Sequence, residues 1–246
     1  MIKYIMSLII VASTLIFSGG CDNSSVQDTT DALSTYAQKC DESPVIDGIL
    51  NDSCWKDALT VPLEVQGADE GMPTLVRASW DDSFLYFAFE CRDKDAVATA
   101  IGRDSDLVGG DYITLLIDAD SDSTTVAMIR IAPNGVFSDT YCLIDKKRDT
   151  VTELSEWNCD DLRVSVSVYG GDASAGTADR FWTAEIALPF SEFPTANTLI
   201  PLSGDHWLVG FGRADIMDNG HQRSYFGVDT VTYRQALSLL RFEGEK

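Results

Sequence analysis

Histidine is scarce in this 246-residue chain, and cysteine pairs at short metal-ligand spacing are missing. With only His206 and His221 available, a closed zinc site would have to be assembled from distant ligands, so structural zinc is not expected. Bases are few: 18 Lys and Arg stand against 39 Asp and Glu, a formal charge of -21. Such a surface repels phosphate backbones, which excludes nucleic acid as a default partner. Helical hydrophobic periods are scarce, no internal repeat is found, and no polar linker beyond residue 45 is long enough to divide two domains. What remains is an apolar fraction of 45% with 10% aromatics, enough for a sizeable core in one large domain.

The front of the chain reads as an address. Lys3 precedes an apolar run from Ile5 to Phe17, too short for a spanning helix of roughly 20 residues but suited to a signal peptide over residues 1–20. Ser18-Gly19-Gly20-Cys21 resembles the lipobox of bacterial lipoproteins, which implies a lipid anchor on Cys21 and an exported, envelope-located protein whose only membrane contact is that anchor. Ser18 and Gly20 also satisfy the small-x-small rule of ordinary secretory cleavage. Residues 21–39 are polar beyond the cysteine and read as a tether, with the globular domain over 40–246. Losing residues 1–20 removes one base and no acid, so the acidic character belongs to the exported part.

Export permits disulfides, and five cysteines follow Cys21: Cys40, Cys54, Cys91, Cys142 and Cys159. Cys142 with Cys159 is the preferred pair, since each ends a strand-like segment and a polar loop lets the chain return.

From Val61 onward apolar residues fall in short runs separated by turn residues, the pattern of an all-β fold. Strands are expected at Thr74–Trp80, Phe84–Phe89, Tyr112–Ile117, Thr125–Ala132, Gly135–Cys142, Leu162–Tyr169, Phe181–Leu188, His206–Ala214 and Ser238–Phe242. Leu162–Tyr169 alternates, with Val164, Val166 and Val168 on one face. Phe84–Phe89 and Tyr112–Ile117 are apolar nearly throughout, as strands covered on both faces require. Pro133-Asn134-Gly135 supplies a hairpin turn. Trp55, after the turn pair Asp47-Gly48, is expected to plug one end of the core. Glu185 reads as a structural carboxylate with Arg213 or Arg130 as its partner.

Taken in order, Ile46-Asp47-Gly48 with Trp55, Trp80-Asp81-Asp82 with Leu85-Tyr86, Asp111–Asp118, Asn134-Gly135, Trp157, Trp182–Pro189 and the strand ending at Arg213 resemble the carbohydrate-binding module family 9-like domains of bacterial exported proteins. The resemblance covers roughly residues 43–243. It implies a two-sheet antiparallel β-sandwich of the immunoglobulin or jelly-roll kind, noncatalytic, that binds a polysaccharide or oligosaccharide; the exported domain is expected to be monomeric. It also implies structural calcium, for which Asp118-Ala119-Asp120-Ser121-Asp122 and Asp93-Lys94-Asp95 offer hard oxygen ligands.

The family clamps its sugar between two tryptophans, and here none stands at either place: the first region reads Ser105-Asp106-Leu107-Val108-Gly109-Gly110 and the second Arg223-Ser224-Tyr225-Phe226-Gly227. Thr114 occupies the family's sugar-binding carboxylate position. Arg130 matches a sugar-contacting arginine. Arg213, Asp215, Asn219, His221 and Tyr225 are placed around one end of the sandwich, and Trp157 is a platform if exposed and core if buried. The expectation is a carbohydrate-binding exported lipoprotein. The alternatives are an envelope interaction domain that has lost sugar binding, a glycoside-active enzyme needing two carboxylates about 5 to 9.5 Å apart, or a haem-binding sandwich using Met217 with His221 or His206, although no C-x-x-C-H attachment motif is present.

Overall fold

The computed structural model describes residues 34–65, 73–170, 180–193, 195–217, 220–226 and 237–244, with the backbone alone at 180, 217, 220–222 and 225. In chain order the elements are β1 (Ser34–Lys39), α1 (Ser53–Asp57), β2 (Val61–Pro62), β3 (Glu64–Val65), β4 (Thr74–Trp80), β5 (Phe84–Asp93), β6 (Tyr112–Asp118), β7 (Thr125–Ile131) and β8 (Phe137–Asp145). There follow β9 (Thr150–Leu154), β10 (Arg163–Tyr169), β11 (Arg180–Pro189), β12 (His206–Met217), β13 (Gly220–Phe226) and β14 (Ser238–Glu243). No helix among them is long and apolar enough to cross a membrane.

The strands form one hydrogen-bonded path, β10-β11-β5-β4-β1-β14-β12-β6-β7-β8-β9, which curls so that its two halves pack face to face. Alternation dictates this closure. Phe87 and Phe89 of β5 and Trp182, Ala184 and Ile186 of β11 turn the same way as Val76 and Ala78 of β4. Ile113, Leu115 and Ile117 of β6, Ile129 of β7 and Phe211 of β12 meet them from the other half. Phe87 and Phe211 make an edge-to-face contact across the layers with centroids 5.6 Å apart. The all-β sandwich expected from the strand pattern is what the structure shows.

Two expectations change. Ser34–Lys39, read as tether, is strand β1, and its pairings with β14 and β4 are both parallel in an otherwise antiparallel array. Thr35 and Ala37 face inward and are buried, so this strand joins the two halves into one path rather than leading up to them. The β8 to β10 connection, read as an irregular loop, contains β9, an edge strand exposed at every position.

Two turns explain why glycine is needed where it stands. Gly135 closes the β7–β8 hairpin at φ +79°, and Gly48 lies at φ +85°, where an added Cβ would meet Ser167 and the Val166 backbone at 2.8 Å. That close approach lets the segment before α1 lie on the outer side of β10 and β11. There Trp55, buried but packed in a separate outer cluster with Cys54, Tyr86, Ala88 and Ala187 rather than plugging an end of the main core as expected, donates its Nε1 proton to Glu185 Oε1 at 2.7 Å. Glu185 Oε2 accepts the backbone N–H groups of Asp47 and Gly48 at 3.0 and 2.8 Å. The carboxylate therefore bonds three neutral donors and not Arg213 or Arg130: it faces outward from β11, whereas Arg213 faces inward and Arg130 stands on the outer face of the other half. Burial pushes it above its ordinary range against these three bonds, which favour the ionised form.

The expected Cys142–Cys159 bridge is absent: both thiols are free. Cys142 packs with Leu116, Val126 and Met128 on the outer side of β8. Cys159 lies against the inner core, its N–H donating to Asp139 Oδ2 at 2.6 Å. Asp139 and Cys142 have opposite parity in β8, so the sheet itself separates the two sulfurs.

Candidate functional site

The outer face of the β12-β6-β7-β8 half is built by the residues that alternate with its core positions. Register aligns Gly212, Thr114, Arg130 and Ser138 in one row across four strands. Through β13 and β3 the same row continues to Tyr225 and Glu64. Two apolar clusters flank it. On one side Tyr112, Ala132 and Ala214 are covered by Ala100 and Leu107 of the loop before β6. On the other side lie Leu116, Val126, Met128 and Cys142, with Ile144 and Leu237.

The row is thus a polar stripe on an apolar floor. Arg130, half-buried, places its guanidinium over the Tyr112 ring at 5.8 Å from the centroid. Thr114 is 1% exposed and its Oγ1 has no hydrogen-bond partner. A buried hydroxyl left unpaired costs about 1–3 kcal/mol, a cost that a ligand hydroxyl or water could relieve. The covering loop is pinned by Asn134 Nδ2 donating to the Ala100 carbonyl at 2.8 Å and carries Ile101, 94% exposed, and Val108 at its surface.

Arg213 and Asp215 lie on the opposite, inward face of β12. Arg213 Nη2 is 2.9 Å from Asp93 Oδ2 and 3.2 Å from Asp215 Oδ2, and Nη1 donates to Thr74 Oγ1 and the Arg92 carbonyl. Trp182 Nε1 also donates to Asp93 Oδ2, at 3.1 Å. Asp111 joins this cluster and accepts the N–H groups of Val97 and Ile216. Burial raises both Asp111 and Asp215, the latter to about 6 even with Arg213 beside it. Oxygens of Asp93, Asp111 and Asp215 come within 4.8 Å of one another, close enough for a metal, but the guanidinium supplies the cation here. Asp93 Oδ1 additionally accepts the N–H groups of Asp95 and Ala96, so the Asp93-Lys94-Asp95 loop is a turn built on Asp93.

The sequence-derived site residues therefore divide. Arg130 stands on the outer face. Register opposes His221 to Ile216 and Tyr225 to Gly212, and Met217 to Gly220. Arg213 and Asp215 are enclosed in the sandwich end, out of reach of a surface ligand. Trp157 is half-buried, packed on Tyr141 at 5.4 Å and against the core, on the side of β8 away from Arg130. Asn219 and Cys21 lie outside the described residues. Tyr112 was not singled out from sequence, although its place two residues before Thr114 in an alternating strand puts both on one face.

No family model and no curated protein matches the sequence. The fold, in contrast, has solved counterparts. A carbohydrate-binding module family 9 from Caldicellulosiruptor kristjanssonii, in complex with cellotriose, superposes with a TM-score of 0.61 at 14% identity, over 87% of this chain and 95% of that one. The same module in complex with glucose gives 0.61 over 87% and 97%. A candidate carbohydrate-binding protein from Bacteroides uniformis gives 0.66 at 14% identity, over 86% and 100%. The chain has the fold of a family 9 carbohydrate-binding module, as its motif order implied.

Proposed function

We propose that the chain is a noncatalytic carbohydrate-binding domain, displayed at the cell envelope by a lipid on Cys21, and that it takes its saccharide on the outer face of β6, β7 and β12. The observation that carries this reading is the Arg130 guanidinium laid over the Tyr112 ring, in register with Thr114 and between two apolar clusters. Saccharides present apolar ring faces edged with hydroxyls. An apolar floor crossed by a guanidinium and an unpaired hydroxyl matches that surface. Structural neighbours solved in complex with cellotriose and with glucose support the ligand class.

The missing tryptophan clamp calls for a contact made mainly on one ring face, and hence for weaker affinity than a two-sided clamp gives. The test is a glycan-array screen of the full chain with calcium present, repeated with Arg130→Ala. Saturable binding to a defined glycan class that Arg130→Ala weakens is the expected result. Binding that is indifferent to Arg130→Ala refutes the placement, and the absence of binding to any glycan refutes the reading.

A further inference from the structure

The β8–β9 hairpin ends the hydrogen-bonded path. Among the described residues β9 pairs with β8 alone, so its other edge presents backbone N–H and C=O groups outside any ladder. Thr150, Val151, Thr152, Glu153 and Leu154 are all exposed. Edge strands are ordinarily blunted by proline, lysine or a bulge. This one has no proline or lysine, and its register with β8 runs unbroken from Tyr141–Leu154 to Asp145–Thr150. Leu143, opposite Thr152, is exposed as well, so apolar side chains stand beside the open backbone.

Charge is sorted along this hairpin. Its turn carries Lys146, Lys147 and Arg148 side by side, in a chain with only 18 bases against 39 acids. The segment leaving β9 carries Glu156, Asp160 and Asp161, and all six of these residues are exposed. Lys146 donates to a neutral acceptor, the Asp122 carbonyl, at 3.0 Å. Arg148 Nη1 is 3.3 Å from Asp145 Oδ2, an exposed contact of little weight. The two ends of β9 are thus opposite in sign, and five extended residues at about 3.3 Å each hold them apart within one chain. An antiparallel copy of the same strand brings the basic end of one to the acidic end of the other.

We propose that β9 pairs antiparallel with β9 of a second copy of this chain, about a two-fold axis through Thr152, so that one sheet runs on across a dimer. Centring on Thr152, the middle residue, pairs all five positions: Thr150 with Leu154, Val151 with Glu153, and Thr152 with its own copy. Beyond the strand the same register sets Arg148 opposite Glu156 and Asp149 opposite Ser155, and symmetry makes each contact twice. Moving the axis to Val151 sets Asp149 opposite Glu153, and moving it to Glu153 sets that carboxylate opposite itself. Both alternatives put like charges across the junction, so charge selects the register that also pairs the whole strand. Leu143 and Leu154 of both copies gather on the face that carries Thr152. The monomer expected from the sequence gives way here to a self-complementary edge. The pairing does not rest on the saccharide reading; its axis stands normal to the sheet, so the outer faces of the two copies look the same way.

The test is sedimentation equilibrium of the full chain over a range of concentrations, alongside Arg148→Glu, Glu156→Arg and the two changes combined. Circular dichroism confirms that each variant is folded. The expected result is a monomer–dimer equilibrium whose dissociation constant rises roughly tenfold or more in either single variant and returns toward the parent value in the combined one. Such a return reports a contact between copies, because β9 separates the two residues within one chain. Thr152→Cys, exposed to oxidised glutathione, is expected to give a covalent dimer, and Val151→Cys, one position off the axis, to give little of it. A chain that stays monomeric at every concentration overturns the proposal. So does a dimer that neither single variant weakens or that the combined variant fails to restore, as does equal cross-linking at positions 151 and 152.

Discussion

Arg213 and Asp93 meet at 2.9 Å inside the sandwich, each side chain about 1% exposed, and together they tie β12 of one half to β5 of the other. Removing one member of a buried ion pair strands the other, which costs about 3–5 kcal/mol. Arg213 also faces Asp215, so its loss leaves two carboxylates uncompensated. Arg213→Met is expected to lower unfolding stability in urea by an amount of that order. A loss under about 1 kcal/mol would show that the pair does not hold the two halves together.

Asp215 gives this cluster a pH dependence of unusual sign. Its folded pKa is raised from 3.8 to about 6, by burial first and by Asp93, Asp111 and Asp95 next, while Arg213 opposes the shift. The folded state therefore binds the proton more tightly than the unfolded state. Its contribution is favourable below pH 4 and is lost as pH rises through about 6, amounting to about 3 kcal/mol. Asp215→Asn lacks this titration. Its stability relative to the parent chain is expected to rise between pH 4 and pH 7, measured by denaturant unfolding at each pH. A difference that stays flat across this range contradicts the account.

At the other face, Glu185 holds the segment before α1 by three hydrogen bonds. Glu185→Ala leaves Trp55 Nε1 and two backbone N–H groups without an acceptor and should cost about 2–4 kcal/mol. Gly48→Ala should also destabilise, by more than about 1 kcal/mol, since it meets both a positive φ and backbone atoms at 2.8 Å. Thermal unfolding of the two variants checks this. A neutral Gly48→Ala would mean that the segment does not lie as close to β10 as described.

Much of the sandwich was legible because period-2 alternation marks a strand whenever one face is buried, as in Thr74–Trp80; the valine alternation of Leu162–Tyr169 also located a strand, but none of its residues is fully buried and Val168, expected beside Val164 and Val166, is 52% exposed. Strand β9 escaped because all five of its residues are exposed and nothing in their order distinguishes inside from outside. Strand β1 escaped because only Thr35 and Ala37 face inward, and because parallel pairing to distant strands leaves no local turn signal. In the site, Arg130 was found through its resemblance to a sugar-contacting position. The enclosure of Arg213 could have been read directly: it continues the series Trp207, Val209 and Phe211, the inward face of β12. The row from Gly212 to Ser138 was not legible, since cross-strand register is a tertiary property.

The free thiols make a redox prediction. Burial pushes the Cys142 thiol up to about 11 and Cys159 to about 12, so neither is a ready nucleophile at neutral pH. In the folded chain both should resist iodoacetamide and react only after unfolding, and a reductant should leave the unfolding midpoint unchanged. Recovery of a disulfide-linked peptide containing both residues would contradict this.

The central claim is that the Thr114–Arg130 stripe is a saccharide surface, and its most direct test is calorimetric titration of the full chain with the best array ligand, or with cellotriose. Arg130→Ala is compared with Arg103→Ala, which alters the Arg103–Asp139 pair on the other face of β8. The account predicts saturable binding that Arg130→Ala weakens roughly tenfold or more, about 1.4 kcal/mol or greater, and that Arg103→Ala leaves intact. Absence of binding, or equal affinity in the parent chain and Arg130→Ala, would contradict it.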